Sequence, residues 1–79
     1  NAEVTVEYQL PAAGPVRLEV YDLLGQRVRT LVEQEQAGGY YRVTWDGRED
    51  AGKTVASGVY FCRLQAGLFS AVRKIAVLR

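Results

Sequence analysis

The chain contains no histidine, and it has a single cysteine, Cys62. Histidine is the usual base that activates a nucleophilic serine or cysteine, so its absence removes the commonest arrangement for nucleophilic catalysis. A lone cysteine cannot form a disulfide within the chain. We therefore interpret Cys62 as a small apolar side chain buried in a strand rather than as a reactive thiol.

Long apolar runs and an excess of one charge are missing as well. No segment approaches the roughly 18 apolar residues of a membrane-spanning helix. The first residues lack the basic start and the apolar stretch of a signal peptide. Ten basic and nine acidic side chains are interspersed and give a net charge of +1. A nucleic-acid interface requires a basic patch or stripe, so we expect neither nucleic acid nor a membrane surface as a partner.

What the chain does have is a regular alternation of apolar and polar residues, interrupted by clusters of glycine, proline and aspartate. Period-two segments between turn signals indicate half-buried strands. With 79 residues, 48% of them hydrophobic, the chain is expected to form one domain over residues 1–79. The prediction is an all-β, immunoglobulin-like antiparallel sandwich of about seven strands. The predicted strands cover residues 4–8, 16–21, 26–32, 40–45, 53–56, 59–65 and 70–78.

Residues 23–35 also show helical spacing of their apolar side chains, but Gly25 and the alternation of Val28, Thr30 and Val32 favour a strand. Gly25 is expected to supply the positive φ angle of a hairpin turn. The predicted core consists of Val4, Val6, Tyr8, Val16, Leu18, Val20, Val28, Val43, Trp45, Tyr60, Cys62, Leu64, Ile75 and Val77.

The turn after Trp45 carries three carboxylates within five residues. The carboxylates of Asp46, Glu49 and Asp50 could supply oxygen ligands to Ca²⁺. Alternatively, two of them could act as the acid and the base of sugar hydrolysis. Arg48, however, places a positive charge at the third position of the loop, where an EF-hand requires a ligand. We therefore interpret the aspartates as turn residues that bind backbone amides, and we expect no metal, no cofactor and no catalysis.

Aromatic side chains provide a second candidate, a platform for stacking on a sugar. Alternation assigns Tyr8, Tyr41 and Trp45 to the apolar faces of their strands, where they supply core area. Tyr21 and Tyr40 fall on polar faces and are the only candidates for such a platform.

Tyr60 precedes Cys62 by two residues at the start of a strand. This is the spacing of the tyrosine corner of immunoglobulin-type sandwiches, in which the hydroxyl bonds to backbone a few residues upstream. The pattern supports the sandwich class, although the second cysteine of an antibody domain is absent.

Four motifs, taken in their order along the chain, resemble the type A C-terminal sorting domain of the type IX secretion system. They are similar also to the immunoglobulin-like domain of flagellar hook-capping proteins. The motifs are residues 16–25 (VRLEVYDLLG), 45–47 (WDG), 57–60 (SGVY) and 73–79 (RKIAVLR).

The first resemblance implies a non-catalytic C-terminal domain of a secreted protein. Such a domain directs export from the periplasm through the type IX secretion system and attachment to the cell surface. The implied partners are an outer-membrane secretion translocon, a sortase-like protease and surface lipopolysaccharide, with the domain itself a monomer. The matching late motifs imply that recognition is carried by Ser57, Gly58, Tyr60, Lys74 and Arg79. Residues 70–79 are expected to lie at a sheet edge, where a receptor adds a strand.

Two alternatives remain open at this point. One is a carbohydrate-binding module of a secreted multidomain enzyme, which requires Tyr21 and Tyr40 to lie close together. The other is a structural module, such as a component of a flagellar cap or a passive spacer.

Overall fold

A computed structural model describes residues 3–78 of the chain, and the regular elements in that part are six β-strands. Within the same residues, no helix is long and apolar enough to cross a membrane. The strands are β1 (Val4–Leu10), β2 (Gly14–Tyr21), β3 (Arg27–Gln36), β4 (Gly39–Trp45), β5 (Gly58–Ala66) and β6 (Phe69–Val77).

The strands form two antiparallel sheets, one of two strands in the order β1-β4 and one of four in the order β3-β2-β5-β6. The predicted all-β, immunoglobulin-like class is confirmed, and the strand count is close to the seven expected. Residues 53–56 do not form a strand, because only the isolated bridge between Arg48 and Thr54 links them to the chain before them. The final strand lies at a sheet edge, as predicted.

The turn between β2 and β3 shows why residues 27–36 form a strand and not a helix. Asp22 Oδ1 accepts hydrogen bonds from the backbone amides of Leu24 and Gln26, each at 2.9 Å. Gly25 has the predicted positive φ angle, 83°, which residues with a Cβ atom rarely adopt. The turn therefore reverses the chain tightly and directs β3 back along β2.

The core lies between the sheets and has two connected parts. One part is centred on the fully buried Trp45 and also contains Val20, Tyr60 and Val77. The other consists of Val6, Leu10, Val16, Leu18, Val32, Cys62 and Leu64. Leu10 and Val32 were not in the predicted core, whereas the predicted Val4, Tyr8, Val28, Val43 and Ile75 are only half-buried.

Candidate functional site

The loop after β4, residues 46–57, is folded by its own polar groups. The Trp45 ring nitrogen donates a hydrogen bond to the backbone carbonyl of Arg48 at 2.8 Å. The backbone amide of Glu49 donates to the carbonyl of Lys53, and the backbone amide of Val55 donates to the carbonyl of Gly47. The conspicuous Trp45-Asp46-Gly47 motif thus anchors a compact loop on a buried ring.

The aspartates of this loop bind protein groups, in agreement with the interpretation as turn residues. Asp46 Oδ1 accepts the amide of Arg48 at 3.1 Å and forms an ion pair with Arg29 at 3.1 Å. Asp50 Oδ1 accepts the amide of Thr30 at 3.0 Å, and the Asp50 amide bonds to the carbonyl of Val28 at 3.0 Å. The loop is thereby fastened to the outer edge of β3. No group of three or more His, Cys, Asp or Glu within residues 3–78 is placed to hold a metal ion.

Tyr60 forms the predicted tyrosine corner. Its hydroxyl donates to the carbonyl of Ala56, four residues upstream, at 2.7 Å. Its ring meets Trp45 edge-on, with centroids 5.6 Å apart and planes at 73°. This T-shaped geometry is favourable between aromatic rings, so Tyr60 fastens the end of the loop to the core.

The residues that the resemblance assigns to recognition do not share one surface. Ser57 is exposed in the loop, and Gly58 begins β5. Tyr60 points into the core, whereas Lys74 is exposed on the outward face of β6, opposite Phe61 of β5. The thickness of the sheet separates these two side chains. Arg79 lies outside the described residues, and a recognition role for this set stays a prediction.

Tyr21 and Tyr40 do not form an aromatic platform. Tyr40 is 83% exposed on the outward face of the two-stranded sheet, paired with Gln9. Tyr21 lies on the outward face of the four-stranded sheet and donates its hydroxyl to Glu19 Oε1 at 2.8 Å. The outward faces of the two sheets point in opposite directions, so one sugar cannot stack on both rings.

Glu19 is a buried carboxylate that sequence alternation misses. It lies on the outward face of β2 but is only 5% exposed, because Tyr21 and Arg27 cover it. Arg27 approaches the second carboxylate oxygen at 3.5 Å. The hydrogen bond to Glu19 raises the pKa of the Tyr21 hydroxyl, and desolvation adds to the effect. In the sequence, the burial of Glu19 is indicated only by the long side chains of Arg17 and Tyr21, two residues away on either side on the same face of β2.

Cys62 is buried in β5, as predicted. Burial raises the pKa of its thiol to about 11, and the positive charge of Arg73 opposes this only in part. A thiol with so high a pKa is almost entirely protonated at neutral pH and is a poor nucleophile.

Two comparisons with known proteins identify the relationship of the chain. Residues 1–67 match the FlgD Ig-like domain family. The crystal structure of FlgD from P. aeruginosa resembles this fold with a TM-score of 0.73 at 23% sequence identity. The match covers 95% of this chain and 58% of the FlgD chain, so the domain corresponds to little more than half of that protein. No curated protein matches the sequence.

These findings correct the functional predictions. The type IX export function was wrong, because the family that matches residues 1–67 is the flagellar one. The carbohydrate-binding alternative was also wrong, since the family differs and Tyr21 and Tyr40 face in opposite directions. Of the two related groups that the sequence resembles, the match selects one, and the chain belongs to the FlgD Ig-like domain family.

Proposed function

We propose that this domain is a non-catalytic structural module of a flagellar hook-capping type of protein and that it acts through contacts with other proteins. The observation that carries the proposal is the family match over residues 1–67. The similarity to the FlgD fold supports it as well, since the two chains superpose over nearly the whole of this domain.

The use of the polar motif residues is consistent with a structural role. Asp22, Asp46, Asp50 and Tyr60 each form hydrogen bonds that close a turn or fasten a loop. Trp45 combines a buried ring with a bonded ring nitrogen. The most distinctive residues of the sequence therefore stabilise the scaffold, and contact with partners falls to exposed side chains.

One such exposed feature is the tip of the hairpin between β2 and β3. Leu23 and Leu24 are 68% and 84% exposed in a turn held by the bonds to Asp22. A rigid loop loses little conformational entropy when it docks, which favours binding. We assign the Leu23–Leu24 tip as one contact point for a protein partner.

The test is a pair of chromosomal variants in the bacterium that encodes the chain. Removal of the domain from its parent protein is expected to shorten or abolish hooks seen by electron microscopy and to reduce swimming. The double substitution Leu23→Ser/Leu24→Ser removes the apolar tip without touching the core and should act in the same direction. Glu35→Gln, an exposed change on β3, serves as the matched control.

Hooks of normal length and unchanged swimming after removal of the whole domain would overturn the flagellar proposal. The domain would then be interpreted as a passive spacer. If removal has an effect but the leucine double variant does not, the function stands and the contact point lies elsewhere.

A further inference from the structure

The two sheets of the sandwich differ in width, and this leaves part of the inner surface uncovered. Adjacent strands lie about 4.8 Å apart, so a two-stranded sheet cannot cover four strands. The inner face of β6 shows the consequence. Phe69, Ala71 and Arg73 pair with Ala66, Leu64 and Cys62 of β5 and point to the same side as these residues, yet all three are exposed. The large apolar residue Phe69 is 58% exposed.

The free edge of β1 borders this uncovered surface. Within residues 3–78, β1 pairs only with β4, so its second row of backbone groups has no strand partner. Leu10 at the end of β1 lines one crevice together with Phe69. Tyr8 lines a neighbouring depression together with Arg73. We name the groove between the β1 edge and the side chains of Phe69, Ala71 and Arg73 the β1–β6 groove.

The opposite side of the sandwich is protected. The 46–57 loop caps β3 there through two hydrogen bonds of Asp50. Its carboxylate accepts the backbone amide of Thr30, and its own amide donates to the carbonyl of Val28. The ion pair of Arg29 with Asp46 closes the same side. Proteins usually block exposed strand edges to prevent unwanted pairing. Of the four edge strands, β3 is capped by this loop, whereas within residues 3–78 β1, β4 and β6 each pair with a single strand. Among these three, β1 borders the exposed inner side chains of β6, which makes the β1–β6 groove a place where a strand can be added.

The charge of the groove indicates what such a strand carries. Strand β6 has two basic residues, Arg73 and Lys74, and no acidic residue. In the described part of the chain neither of them forms an ion pair with a carboxylate. Arg73 lies on the inner face, within the groove, and Lys74 lies on the outward face.

We propose that the β1–β6 groove binds an extended segment of a partner protein by strand addition to β1. The inward side chains of the segment are apolar where they meet Phe69 and Ala71, and one is a carboxylate that meets Arg73. The backbone bonds to β1 give affinity, and the alternate side chains give specificity. The proposal goes beyond the proposed function, since it stands on the open edge and its charge and not on a flagellar role.

A second copy of the domain is a poorer occupant. If a second copy filled the groove with its own β1 edge, the β6 strands of both copies would come together, and with them the positive charges of both Arg73 side chains. Like charges placed together across an interface are unfavourable.

The test uses the isotope-labelled domain and short synthetic peptides with capped ends. The first peptide alternates valine and threonine with one aspartate at a central inward position, the second has lysine in place of that aspartate, and the third has a central proline. Only the aspartate peptide is expected to bind well. Its binding should shift the amide resonances of β1 and slow hydrogen exchange at those β1 amides that face away from β4. The proline peptide should fail because it lacks a backbone donor.

A charge reversal makes the test specific. Arg73→Glu should weaken binding of the aspartate peptide about tenfold, or about 1.4 kcal/mol, and should favour the lysine peptide instead. Lys74→Glu is the matched control on the neighbouring, outward-facing residue and should change neither affinity more than about twofold. Both residues are exposed, so melting temperatures should confirm that the variants fold.

Three results would overturn the proposal. The first is no binding of the aspartate peptide at millimolar concentration, and the second is equal loss in the Arg73 and Lys74 variants. The third is concentration-dependent dimerisation in sedimentation that protects the β1 edge, which would assign the groove to a second copy.

Discussion

Replacement of Trp45 by alanine should remove a large part of the stability of the domain. The ring is fully buried, packs edge-on against Tyr60 and donates a hydrogen bond to the carbonyl of Arg48. Truncation of a buried Trp to Ala costs about 3–5 kcal/mol. At roughly 0.05–0.15 kcal/mol per residue, a 79-residue chain has a total stability of about 4–12 kcal/mol. The loss is therefore comparable to the lower part of that range.

The assay is urea denaturation followed by far-ultraviolet circular dichroism, because Trp45 is the only tryptophan and the variant loses the fluorescent probe. The expected result is a large fall in the urea midpoint, with a substantial unfolded fraction before urea is added. Trp45→Phe is the control, since it retains a ring against Tyr60 but loses the bond to Arg48. It should cost less than the alanine variant. If Trp45→Ala unfolds at the same urea concentration as the parent, the ring does not hold the two sheets together and the reasoning fails.

Other changes test individual contacts. Tyr60→Phe removes the bond to the Ala56 carbonyl and should lower the free energy of unfolding by about 1 kcal/mol in urea titration; an unchanged midpoint would show that the corner bond is energetically neutral. Gly25→Ala places a Cβ atom at a φ of 83° and should destabilise by about 1–2 kcal/mol, whereas no loss would mean that the turn relaxes. The high pKa of Cys62, about 11, predicts a pH effect, because the unfolded chain releases the thiol proton at lower pH than the native one. Stability should therefore fall as pH rises from about 9 to 11, and Cys62→Ala should reduce that fall; an equal slope in both proteins would contradict the assignment. In addition, native Cys62 should react with a thiol reagent only as fast as the chain unfolds, and fast labelling of the folded protein would be evidence against its burial.

Local chemistry explains why the strands and turns were predictable. A strand places alternate side chains on opposite faces, so the alternation of Val16, Leu18 and Val20 indicates both the element and its buried side. Likewise, Gly25 and the carboxylate of Asp22 act within a few residues of their own position. The same locality made the tyrosine corner at Tyr60 visible in the sequence.

The candidate sites were less predictable, because their residues are brought together or separated only by the fold. Tyr21 and Tyr40 look equivalent as aromatic residues on polar faces, but they belong to different sheets that face opposite ways. Lys74 and Tyr60 belong to motifs of one resemblance, yet a sheet lies between their side chains.

The amino-acid pattern alone thus determined the all-β class, most strand positions, the turns and the residues at the centre of the core, because these follow from interactions between near neighbours. Tertiary structure decided how the strands divide into sheets of two and four. That division exposes Phe69 and Ala71, although they face inward, because no strand lies opposite them. It also buries Glu19, although it faces outward, because Tyr21 and Arg27 close over it. Alternation reports which face a side chain is on, whereas burial depends on what the rest of the fold places against that face.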